Sequence, residues 1–191
     1  MTPILGIMAS QISGHLYAPT GSMFHISTTT LSTTQTTITF SSIPADYTHL
    51  QLRLFARTNR SAQNAANLLI RFNNDTGSNY AYHDLFGDGA SATASGAATQ
   101  TSIIANRLTG AGAAASIFGT IIIDVLDYTS TNKNKTVRAL GGYDENGAGA
   151  SSFSGGVYFA TPAAITRIDL TSVAGTADFV QYSSFSLYGV K

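Results

Sequence analysis

The residue types best suited to chemistry gather in one short stretch, where Asp75, Asn79, Tyr80, Tyr82, His83, Asp84 and Asp88 follow one another closely. Aromatic faces beside carboxylates and amides suit a saccharide, because rings stack on the C–H faces of a sugar while short polar groups hold its hydroxyls. Tyr80, Tyr82, His83 and Asp84 are the candidate ligand contacts on that reading. Asp75, Asp84 and Asp88 also offer oxygen ligands for Ca²⁺, but the EF-hand spacing is absent and no metal site is expected. A third reading is architectural: Asp and Asn cap turns, and the tyrosines pack a sheet edge. All three stay open on these residues alone. Tyr143, Asp144 and Glu145, in a Gly-rich turn, admit the same alternatives.

Catalysis finds less support. His15, His25 and His49 have no Asp or Glu within two residues, and a histidine so placed reads as structural. The chain has no H-E-x-x-H, no G-x-S-x-G and no G-x-x-x-x-G-K. Gly110, Gly112 and Ala115 satisfy G-x-G-x-x-A but open no helix, so they read as a turn. Glu145 is the only glutamate, and nothing places an aspartate at the ~5 to 9 Å that paired glycosidase carboxylates need. We expect no enzyme, no catalytic residue and no cofactor.

The elements that must position these residues are strands. Thr37 to Arg57 alternates Ile38 and Phe40 with threonines. After Pro44 it alternates Leu50, Leu52, Leu54 and Ala56 with polar residues, Phe55 being the exception. That period of two suits half-buried strands, and the proline predicts a turn between them. Leu68, Ile70 and Phe72 share a face, Tyr80 to Phe86 reads as a short strand, and Ala90 to Gln100, all small and polar residues, as a surface loop. Ser116 to Tyr128 is apolar on both faces, which predicts a strand covered twice, either inside the domain or by a partner chain. Further strands are read at Phe24 and Ile26, Ile103 to Leu108, Thr136 to Leu140, Gly155 to Ala160, Ile165 to Leu170 and Phe179 to Val190. Turn residues recur at the ~8 to 12-residue spacing of an all-β sandwich. The predicted fold is a two-sheet antiparallel sandwich, jelly-roll-like, with an extended N-terminal arm.

Composition narrows the partners. The 191 residues suffice for one domain with its own core. Cysteine is absent, which excludes disulfides and thiolate metal sites. Charged residues make up 10% against roughly 25% in an average chain, and the net charge is zero with Lys and Arg scattered. Direct nucleic-acid binding is therefore not expected. No apolar run approaches the ~18 residues of a membrane span. Residues 1–20 carry no charged side chain. They lack the basic n-region of a signal peptide and are interrupted by Gly6 and Ser10, so they read as a docking arm. Ile4, Leu5, Ile7, Met8 and Ile12 are its candidate contacts, with residues 21–191 forming the sandwich domain.

PILGIMASQISG at the start, IPADYTHLQLRLFART, DTGSNYAYH, DVLDY and QYSSFSLYGVK at the end resemble, in this order, segments of small virion structural proteins of tailed bacteriophages. The resemblance spans nearly the whole chain. It implies a non-enzymatic virion component, assembled in the host cytoplasm, that contacts capsid or tail proteins. A capsid decoration (cement) protein is the first expectation, homo-oligomeric, with a trimer as the state that matches capsid threefold positions. A tail-associated or head-fibre adhesin binding a host surface glycan is the alternative. The absence of heptads or repetitive strands that would build a fibre shaft favours the first.

Overall fold

In the structure, a computed structural model describing residues 21–172 and 177–191, the chain changes sheet at most of its connections. β1 (Met23–Thr30), β3 (His49–Ala56), β5 (Tyr80–Gly87), β6 (Ala92–Gln100), β8 (Gly119–Leu126), β9 (Lys135–Asp144), β10 (Gly149–Tyr158) and β12 (Ser184–Val190) form one sheet, in the order β1-β12-β3-β8-β9-β10-β5-β6. β2 (Thr37–Phe40), β4 (Ala65–Phe72), β7 (Ile103–Thr109) and β11 (Ile168–Ser172) form the other, in the order β2-β11-β4-β7. Every strand pairing within the two sheets is antiparallel. The all-β, two-sheet sandwich expected from the period of two is thus the fold. Its division into eight and four strands goes beyond the eight-stranded double Greek key to which the jelly-roll expectation refers.

The core lies between the sheets. Leu50, Leu52 and Leu54 of β3, Ile121, Ile123 and Val125 of β8, and Phe185 and Leu187 of β12 meet Ile38, Phe40, Leu68, Ile70, Phe72, Ile168 and Leu170 of the smaller sheet. Alternation along each strand drives this: one parity buries branched or aromatic bulk, the other faces outward. Near the β4–β5 turn the rings of Tyr80 and Tyr158 stack with centroids 4.8 Å apart.

Three expectations need correction. Thr37 to Arg57 is no hairpin: β2 pairs with β11 and β3 lies in the other sheet between β12 and β8. The connection is held elsewhere, because the Ile43 N–H donates to Thr166 O, the Tyr128 hydroxyl donates to Pro44 O, and the Ile43 side chain is buried. The strand read at Phe24 and Ile26 does not stop there but runs on through Ser27 to Thr30. The Ala90 to Gln100 loop is β6, an edge strand on β5 held by backbone pairing, with too little side-chain burial to leave an apolar period. Of the two covers expected for β8, the described residues supply the inner one, and Ile122 is exposed on the outer side.

The two ends of the described fold lie together. Met23 pairs with Val190, and the Lys191 N–H donates to Ser22 O at 3.0 Å.

Candidate functional site

The four candidate ligand residues do not form one surface. Tyr80 is 0% exposed, and its hydroxyl donates to Asp75 O at 3.0 Å. Burial pushes that phenol up to about 12, and burial together with a hydrogen bond to Asp75 raises Tyr158 further. Asp84 is 6% exposed and is held by Arg107 Nη2 at 3.0 Å and by the Ser95 hydroxyl. Arg107 in turn lies over the Phe86 ring at 4.1 Å. Tyr82 shares their inward parity and packs against the core. His83 alone faces outward, its ring against Gly96 of β6, where any Cβ would meet it at 2.4 Å. Tyr80 and Asp84 are thus removed from any ligand surface, because the alternation of β5 turns both into the sandwich.

The remaining polar candidates cap turns. Asp75 accepts from the Gly77 N–H at 2.7 Å, from Asn79 Nδ2 at 2.8 Å and from the Tyr158 hydroxyl at 3.0 Å. These bonds, led by that to Asn79, hold its carboxyl below the usual range against the opposing effect of burial. Asp88 accepts from the Ala90 and Ser91 N–H groups, and Asp144 from that of Asn146. Glu145 ties Asn64 Nδ2 and the Ala114 N–H. Among the described residues no three His, Asp or Glu side chains are grouped to hold a metal ion. Ile4, Leu5, Ile7, Met8 and Ile12 lie outside the described residues.

What the structure does assemble is an apolar row. Ile122 of β8 is the direct cross-strand partner of Leu140 of β9, Leu140 of Phe153 on β10, and Phe153 of Leu85 on β5. All four point away from the core and are exposed, Leu140 at 61%. With neighbouring strands about 4.8 Å apart, the row crosses the outer face as a continuous ridge about 14 Å long. Phe55, also exposed, stacks on Phe118 beside it with centroids 5.1 Å apart. Scattered exposed apolar residues are ordinary on a soluble protein, but a contiguous row is a mark of an interaction surface.

Polar groups flank this ridge. Arg53 Nε donates to Gln51 Oε1 at 3.0 Å, Gln51 Nε2 donates to Asp124 Oδ1 at 2.9 Å, and Arg138 Nη2 lies 3.4 Å from Asp124 Oδ2. On the other side a depression of about 680 Å³ opens over Thr120, Gly142, Ser151 and Gly87, with Leu140 on one border and Asp88 and Asp144 on another. The outer face of the smaller sheet differs, carrying Thr37, Thr39, Thr171 and Arg71 together with Asp169 and Leu69, which are buried there.

Leu85, Leu140 and Phe153 were not candidates from sequence. Their signal is a large apolar residue out of phase with its strand: Leu140 follows the inward pair Val137 and Ala139, and Phe153 stands between the inward Ser152 and Ser154. Comparison with protein-family models, with curated proteins and with solved structures finds no match to this chain.

Proposed function

We propose that this chain is a non-enzymatic structural subunit of a bacteriophage virion, a capsid decoration protein held by residues 1–20 and carrying the sandwich on the particle surface. The observation that carries this reading is the place where the sandwich begins. β1 starts at Met23, directly after the uncharged residues 1–20, and the described elements are all strands of the sandwich. A fibre adhesin separates its anchor from its head, whereas a cement protein sits directly on the shell. With both ends of the described fold at one corner, attachment there leaves the faces of the sandwich available to other virion proteins.

The titratable groups fit a structural subunit. Asp84 with Arg107, Asp169 with Arg167, and buried Lys135 on the carbonyls of Ser130 and Lys133 each have partners inside the fold. The glycan contact of the adhesin alternative was placed on four residues, of which Tyr80 and Asp84 are interior. The test is a particle assembled without this chain. The decoration reading expects such particles to form and to lose resistance to heat or internal pressure, with purified protein restoring it. Normal durability combined with impaired adsorption to host cells would overturn it in favour of the adhesin.

A further inference from the structure

The apolar row divides two unlike flanks. Two residues to one side of it stand Asp124 on β8, Arg138 on β9, Gly155 on β10 and His83 on β5. Two residues to the other side on the same strands stand Thr120, Gly142, Ser151 and Gly87. Apart from Gly155, larger polar side chains therefore line one flank and small residues the other, and the depression of about 680 Å³ lies over the small flank, with Asp88 and Asp144 among its lining residues.

We propose that this face binds a second copy of the same chain, through a two-fold axis that runs along the row Ile122–Leu140–Phe153–Leu85. Rotation about that line sets each apolar residue of one copy against the row of the other. It also exchanges the flanks. Arg138 and Gly142 stand equally far from the axis, two residues or about 7 Å, and so do His83 and Gly87. Arg138 of one copy then comes over Gly142 of the other and toward Asp144, whose Oδ1 accepts from the Asn146 N–H, while its second oxygen makes no hydrogen bond among the described residues. His83 comes over Gly87 and toward Asp88. Bulk meets space, and the Arg138 guanidinium of each copy meets the Asp144 carboxylate of the other, as an isologous contact requires. Face-to-face packing of two sheets is a standard β-sandwich contact. The polar outer face of the smaller sheet offers no comparable gain. This geometry selects two copies where the sequence resemblance suggested three.

The experiment is sedimentation equilibrium on the full chain and its variants, with a denaturation midpoint measured for each. The full chain is expected to dimerise. Leu140→Asp should raise the dissociation constant at least about a hundredfold, the effect of losing a central anchor. Arg138→Asp should weaken association at least about tenfold, and adding Asp144→Arg to it should recover most of the loss. Should Leu140→Asp fail to fold, Leu140→Ser replaces it and is expected to weaken the dimer in the same direction. A full chain that stays monomeric overturns the proposal, and slow thiol labelling of Leu140→Cys that becomes fast on removing residues 1–15 would assign the face to the chain's own N-terminal segment instead. A dimer or trimer unaffected by these folded variants also overturns it, placing the contact elsewhere, for instance at the uncharged β6 edge.

Discussion

Leu140 and Phe153 are direct cross-strand partners on adjacent strands, and both side chains turn away from the core into the open. On the reverse side of the same sheet Leu50, Leu52 and Leu54 are sealed against the second sheet. The two sides of this sheet are thus both apolar in part, but only one is covered among the described residues. The pair separates what holds the fold from what the fold offers to a partner.

That separation is measurable. Leu52→Ala should cost about 2 to 5 kcal/mol of unfolding free energy, since it deletes buried bulk that the neighbouring strands cannot fill by collapsing. Leu140→Ser should change the stability of the monomer by no more than about 0.5 kcal/mol, as for other exposed sites. Chemical denaturation reads both, and equal costs would show that the sheet faces the other way.

Asp75 ties the β4–β5 turn to the Tyr80–Tyr158 stack, and Asp75→Ala should destabilise by about 1 to 2 kcal/mol through its lost hydrogen bonds. The carboxyl is depressed in the folded chain, so its contribution is fully present above the ordinary aspartate value of about 3.9 and is lost as pH falls through the lower folded value. Between about pH 5 and pH 2 the parent should therefore lose more stability than Asp75→Asn. Parallel acid limbs for the two proteins would contradict the assignment.

Most of the fold was legible because one side of most strands packs, and packing leaves a period of two. Leu50, Leu52 and Leu54 announced their burial in this way. What escaped were features whose signal is not periodic. β6 contributes an edge made by backbone hydrogen bonds, and its Ala, Ser, Thr and Gly residues imitate a loop. The partners of β2 and β3 depend on long-range pairing, which the intervening Pro44 does not encode. Tyr80, Tyr82 and Asp84 looked like a ligand cluster because they are near in sequence, yet alternate residues on one strand share the face that this sandwich buries. The apolar row was hidden for the converse reason: Leu85, Ile122, Leu140 and Phe153 are far apart in the chain and meet only through register.

Removal of residues 1–15 should leave the sandwich folded, because β1 begins at Met23 and is paired along its length with β12. On the proposed function the shortened chain should no longer join particles. Co-sedimentation with particles that lack the protein checks this. Normal incorporation would detach the docking role from Ile4, Leu5, Ile7, Met8 and Ile12, and a loss of folding would make the segment part of the domain.

The most direct measurement is a density map of the intact particle at a resolution that separates β-sheets. The account predicts an eight-on-four sandwich lying on the outer surface of the capsid shell, attached at the corner where Ser22 meets Lys191. The same sandwich at the tip of a tail or fibre, with the capsid surface bare, would contradict it.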